Sequence, residues 1–366
     1  MRNWTHMCVG LMALAASGSV LSGADQYGLS EGRPELQSIG SLAFGPEGIL
    51  FAGDSKGAAV FALQTGDKSG DAAHSSYDVA GLNVKIAQAL GSDSQQVKIE
   101  DVAVNPQTGH VFVSVTASGK PALVKVAGDE VTRVNLDKIP FAKAAIPDAP
   151  ADKVTGEGRR ARNNRLSTIT DLAFVDGYVL IAGMRDAEAG SGVRSIEFPF
   201  SEIKPGTSLE IYHGAHGQLE SNSPIRTFVP FNIGGEPNVL AGFTCTPLVR
   251  FPLSDLKPGE TIRGTTVAEL GNRNQPLDMI VYKKGGQSYV LSANSTRGVM
   301  KISTDKIDQN AGINDPIKGG GTAGQTYEKI EDWQGVVQLD KLNDDSAVVL
   351  VQRDSGDFDL KSMPLP

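Results

Sequence analysis

Cysteine is scarce in this chain, with two in 366 residues. One of them, Cys8, lies in an apolar leader, so a protein that has shed the leader keeps Cys245 alone and forms no internal disulfide. Stability then has to come from burial and strand pairing, which a chain of this length can support. Positive charge is in deficit, 34 Lys and Arg against 42 Asp and Glu. That excludes nucleic acid as the default partner, because phosphate binding needs concentrated positive charge. Beyond the leader no apolar run approaches the length of a membrane span. The Gly-x-Ser-x-Gly elbow, the zinc-protease helix motif, the phosphate-cradling glycine loop and any organic-cofactor signature are also missing.

What is there begins with the leader itself. Arg2 supplies a positive charge, residues 7–21 are mostly apolar, and Ser22, Gly23 and Ala24 offer small residues at the end. This pattern predicts a signal peptide over residues 1–24 and an exported protein, periplasmic or extracellular, without a lipid anchor at Cys8.

From residue 25 onward a phrase recurs six times: an apolar strand, a turn, a second and strongly apolar strand, a polar loop, and a third alternating strand. The repeats start near residues 39, 99, 169, 225, 276 and 333. Turns such as Asn105 to Gly109, Asp176-Gly177, Gly234-Gly235 and Gly285-Gly286 separate the first two strands. Candidate fourth strands lie at 131–136, 208–212 and 265–270, and the sixth repeat runs out of chain before its fourth. The spacing predicts one all-β domain over 25–366, a six-bladed β-propeller of four-stranded antiparallel blades. Its last blade is expected to be completed by the N-terminal segment around 27–35, which would remove an exposed edge. Residues 79–90 have helical apolar spacing and predict one short inserted helix, whereas 140–165 reads as a long exposed loop.

In this blade pattern the chain resembles the broad NHL, gluconolactonase and paraoxonase type of propeller. Residues at the start of the first strand and in the loop between second and third strands should converge on one face of the channel. Asp101, Asp171 and Asp278 occupy the same place in three repeats, with Glu100 beside the first and with Ser41 and Thr227 at equivalent positions. Carboxylates gathered there repel one another unless protons or a cation intervene, and their hard oxygens suit calcium. The alternative role is to accept hydrogen bonds from backbone amides of neighbouring blades. The resemblance implies that Glu100-Asp101 matches a calcium-ligating Glu-Asp pair, and that Asp171 stands where the family has the Asp of an Asn-Asp pair, with Thr170 in place of Asn.

The second-to-third-strand loops should bring Arg185, Asn294, Arg297 and Arg353 to the same face, joined by Arg273. They suit a carboxylate-bearing or sugar-like ligand, or else serve as ion pairs with nearby acids. Cys245 has no recognisable histidine partner for a nucleophilic role, and His213 and His216, with Glu220 nearby, have a spacing open to metal ligation. Two functions follow. One is a non-catalytic module that binds a small molecule, glycan or protein on the channel face, and the other is a calcium-dependent lactonase or esterase. Intact-mass measurement of the exported protein is expected to give a chain beginning at Asp25, and a mass that includes residues 1–24 would overturn the leader.

Overall fold

A computed structural model describes residues 26–158, 161–186, 190–245 and 247–366. The expected leader lies outside the described residues. Six antiparallel sheets surround a central channel. Numbered along the chain, blades 1 to 6 have the innermost strands Leu42–Phe44, Val97–Val104, Asp171–Val175, Ile225–Ile233, Pro276–Lys284 and Val336–Lys341. These fall on the six sequence repeats, so the chain is a six-bladed β-propeller. Each middle strand has a blade on either side of it and is apolar on both faces. In blade 1 every residue of Ile49–Asp54 is buried, as is all of Ala59–Gln64 except Gln64. Turn chemistry fixes the register: Gly109 sits at a φ of +74°, and a Cβ there would collide with Ser75 and Ala72. The predicted helix is present as Leu82–Leu90, with Leu82 and Ile86 in the core.

The expected fourth strands appear as Glu130–Arg133, Thr207–His213 and Thr265–Leu270. Ring closure differs from the sequence expectation. The outer strand of blade 6 is Asp78–Val79, paired antiparallel with Phe358–Pro364. The N-terminal strand Ser30–Gly32 is instead a fifth strand on blade 1, outside Ile139–Ala145. That last strand lies in the segment that reads as loop. Pro140 stands opposite Glu31 of the N-terminal strand, one residue before pairing with the third strand of blade 1 begins at Phe141 opposite Leu63, so no N–H is required of it on that side.

Blade order also departs from chain order. Blade 2 is inserted between the third and fourth strands of blade 1, and it sits on the side of blade 1 that faces blade 6. One core cluster joins Phe61 of blade 1 to Phe112 of blade 2. Another joins Val113 and Val124 of blade 2 to Val348 and Leu350 of blade 6, with the helix between them. A third joins Phe51 of blade 1 to Leu172 and Ile181 of blade 3. Around the ring the blades therefore run 1, 3, 4, 5, 6, 2. Apolar faces pack on complementary faces regardless of how far apart they lie in the chain.

Val79 is fully buried in the cluster between blades 2 and 6, whereas its neighbour Asp78 is exposed. Val79→Asp places an unpaired carboxylate in that apolar seam and is expected to cost about 4 kcal/mol or more. Asp78→Ser should stay within about 0.5 kcal/mol of the parent. Denaturant midpoints of the two variants measure the difference, and equal midpoints would show that this strand does not close the ring.

Candidate functional site at the channel mouth

Four of the six innermost strands shift register at the same level, between Ile99 and Asp101, Ile225 and Thr227, Pro276 and Asp278, and Val336 and Gln338. A bulge sets two successive residues against one on the partner strand and re-aims a side chain. Here the extra residues are Glu100, Arg226, Leu277 and Val337. With Asp101, Thr227, Asp278 and Gln338 they line a cavity of about 600 Å³ at the mouth. A neighbouring cavity of about 440 Å³ shares Lys98, Glu100, Thr170 and Arg226 and reaches Ser38 and Ser55.

The aspartates form the floor. Asp101 Oδ2 accepts from Leu42 N of blade 1 at 2.7 Å, Asp171 Oδ2 from Phe228 N of blade 4 at 2.7 Å, and Asp278 Oδ2 from Leu339 N of blade 6 at 2.9 Å. The second oxygen of each accepts from the next amide of its own strand, at Val102, Leu172 and Met279. Asp340, two residues deeper in blade 6 and not singled out by the repeat, repeats the pattern with Val104 N of blade 2 at 2.7 Å and its own Lys341 N. Of the two roles open to the aspartates, the amide-accepting one is realised. Every carboxylate oxygen of the four engages a backbone amide.

These carboxylates line the lumen and are partly accessible to it, yet they lie deep in the molecule with blades on every side. Burial pushes Asp171 up to about 7 and Asp340 up to about 6, against the lowering effect of their amide bonds. Asp101 and Asp278 are raised well above the carboxylate range, first by burial and then by the charges of the other ring aspartates. Above the floor, two buried polar atoms lack a partner, Thr170 Oγ1 and Gln338 Oε1, while the Thr227 hydroxyl leans on the Asp171 carboxylate without closing a hydrogen bond of ordinary geometry. Glu100 is held by Thr116 at 2.8 Å and Lys98 at 2.6 Å. Arg226 stands exposed at the rim.

The five ligand candidates from the loops lie outside this cavity. Arg185 is buried and bonded to Asp148 at 2.6 Å and to Ser208. Asp148 also binds the fully buried Arg194 at 2.6 Å. Burial alone would raise Asp148, but the two guanidiniums hold it below its usual range. Arg353 pairs with Asp359 at 2.6 Å, and Asn294 bonds to the Ser292 and Gly298 carbonyls and to Asn274. Arg273 is exposed, and its carbonyl accepts from Thr296. Arg297 reaches the Asn272 carbonyl and leaves a buried Nε without a partner. These loops are therefore largely occupied with their own contacts. Sequence reasoning missed Arg226, Lys98 and Gln338, because the strand shifts that bring them to the mouth show only in the pairing.

Away from the channel, His213, His216 and Glu220 form a group whose ligand atoms all lie within 4.8 Å of one another. Nδ1 of His213 is 2.9 Å from Glu220 Oε2, and Nδ1 of His216 is 2.6 Å from Glu220 Oε1. Cys245 lies near this group. Its thiol is raised by burial and then by the charges of Glu220 and Glu269.

No protein-family model and no curated protein matches the chain. Among solved structures it is similar to a putative oxidoreductase (glucose dehydrogenase) from Thermus thermophilus, at 13% identity, TM-score 0.33, 92% of this chain and 100% of that one. It is also similar to the PQQ-bound aldose sugar dehydrogenase of Streptomyces coelicolor, at 11% identity, TM-score 0.27, 92% of this chain and 98% of that one. The extracellular domain of a putative one-component system of B. thetaiotaomicron matches at 10% identity and TM-score 0.34, over 91% of this chain and 39% of that one. At such distances these likenesses carry nothing about chemistry, and the propeller assignment rests on the sheets themselves.

Raised carboxylates fix the sign of the pH response. Between about pH 4 and pH 7 the folded state keeps protons on Asp171 and Asp340 that the unfolded chain has lost, so stability falls as pH rises through that window. Glu269, raised by burial to about 7, acts in the same direction. Asp67 and Asp148, both lowered, contribute the opposite slope below about pH 4. Chelator-treated protein is expected to melt at a lower temperature at pH 7.5 than at pH 5, and Asp171→Asn should flatten that slope. An Asp171→Asn profile parallel to the parent would remove Asp171 as a contributor.

Proposed function

We propose that this protein is an exported binding module whose channel mouth holds a small polyhydroxylated acid, such as a uronic or aldonic acid. The observation that carries the reading is the set of unpartnered buried polar atoms at the mouth. A buried hydroxyl or amide oxygen without a partner costs about 1–3 kcal/mol, and Thr170 and Gln338 each leave one such atom beside the 600 Å³ cavity, which the Thr227 hydroxyl, turned toward Asp171, also lines. A ligand rich in hydroxyls satisfies them together. Arg226 at the rim provides positive charge for a carboxylate, beside the Lys98–Glu100 ion pair. Specificity in such a site comes from a few fixed polar groups on a rigid wall, which the bulged strands provide.

A calcium-dependent lactonase or esterase is the second reading, favoured by four raised carboxylates in one lumen. A cation held by Glu100, Asp101, Asp171 and Asp278 would discharge the repulsion among the three aspartates, and in such an enzyme it polarises an ester carbonyl. The fit is only partial, because amides already engage both oxygens of Asp101, Asp171 and Asp278.

Calorimetric titration with a panel of uronic and aldonic acids, in the presence of EDTA, tests the first reading. At least one member is expected to bind, with Arg226→Ala weakening it about tenfold or more and Thr227→Val by less. If no acid binds in EDTA, or if Arg226→Ala binds as well as the parent, the reading fails. Binding or ester hydrolysis that appears only after calcium is restored favours the second.

A further inference from the structure

We propose that His213, His216 and Glu220 form a site for a borderline divalent transition metal, with Zn²⁺ the best match, separate from the channel. The ligand set is two imidazoles and one carboxylate, the donor types that suit zinc and its neighbours and leave open positions for water or substrate. His213 closes the outer strand Thr207–His213 of blade 3, the turn that follows brings His216 back over it, and Gln218–Glu220 returns antiparallel to the same strand. One carboxylate thus lies between two imidazoles, one oxygen to each, at 2.9 and 2.6 Å. A tetrahedral ion with bonds of about 2.0–2.1 Å holds its ligand atoms about 3.3 Å apart. The triad therefore needs to open by roughly half an ångström. His216, whose side chain is 47% exposed, has room to make that movement.

A further observation points to a missing occupant. Glu269, from the fourth strand of blade 4, is 1% exposed. Its Oε1 is fixed by Gly214 N at 2.6 Å, on the loop between the two histidines, the neighbouring Ala215 amide also holds the carboxylate, and no hydrogen bond of ordinary geometry closes on its Oε2. A buried carboxylate oxygen is rarely left in this state in a native protein. A metal carrying a water ligand gives Glu269 a donor, and outer carboxylates of this kind orient metal-bound water. The sequence offered the two histidines with Glu220 nearby. The strand return that sets Glu220 between them, and the neighbouring blade that adds Glu269, appear only in the fold.

The test uses untagged full-length mature protein, stripped with chelator and dialysed. Titration with ZnCl₂ is expected to give one equivalent bound, and CoCl₂ to give visible absorption bands of a tetrahedral or five-coordinate centre that Zn²⁺ bleaches and CaCl₂ does not. His216→Ala, at an accessible position, should keep the parent melting curve in chelator, and both it and Glu220→Gln should weaken zinc by about 100-fold or more. Glu269→Gln should weaken it by about tenfold. A parent that binds no stoichiometric zinc, or a folded His216→Ala that binds it as tightly as the parent, overturns the site. Because neither variant touches the channel, acid binding at the mouth is expected to be unchanged in both, and failure of one site leaves the other standing.

Discussion

The innermost strand of a propeller blade is a sheet edge, and alternate amides along it face the channel with no strand beyond to receive them. Left unpaired in a narrow lumen they would be costly. The aspartates answer this constraint. Each takes one amide of its own strand and one of the next blade, so the bond that satisfies an edge also ties two sheets together. Asp171 links blade 3 to 4, Asp278 links 5 to 6, Asp340 links 6 to 2, and Asp101 links 2 to 1. All four run in the same sense around the ring. Each carboxylate is placed by backbone geometry; burial raises all four, and proximity to the others adds to Asp101, Asp171 and Asp278 as a by-product.

The same edge sets what the mouth can do. Because innermost strands have a partner on one side only, they accommodate an extra residue without disturbing the sheet behind them. Four bulges at one level convert a ring of single positions into a ring of paired ones. The inner member of each pair is Asp101, Thr227, Asp278 or Gln338, and the outer member is Glu100, Arg226, Leu277 or Val337. Structural demand governs Asp101 and Asp278 in the first group. The second group's mixture of acid, base and apolar side chains has no repeat logic of its own.

How much of this was readable follows from the kind of signal each feature leaves. Strands that are apolar on both faces, such as Ile49–Asp54, and turns with glycine at positive φ repeat at intervals, so the six blades were legible. Asp101, Asp171 and Asp278 recur at one place and were legible too, with the amide-accepting role and the cation role both open. Asp340 was not, since it serves the same purpose two residues deeper. Bulges leave no residue signature, which hid Arg226 at the rim. Pro140 disguised Ile139–Ala145 as loop, and the partner that takes up Arg185 is Asp148, 37 residues earlier. Ring order was illegible in principle: the apolar faces of blades 1, 2 and 3 offer the same alternation, and which face meets which is decided by shape.

That interleaved order has a kinetic side. A ring whose blades follow the chain can assemble one unit after another, but here blade 1 lacks its fourth strand until residue 145 has been made. Blade 2 packs on blade 6, the last to appear, while Asp78–Val79 waits for Phe358–Pro364. Contacts that span most of the chain are slow to form, because the loop entropy is spent before they are rewarded. Until the final strand arrives, the helix Leu82–Leu90 and one flank of blade 2 present apolar surface with nothing to cover it. The unclosed ring is therefore aggregation-prone until Phe358–Pro364 has paired with Asp78–Val79.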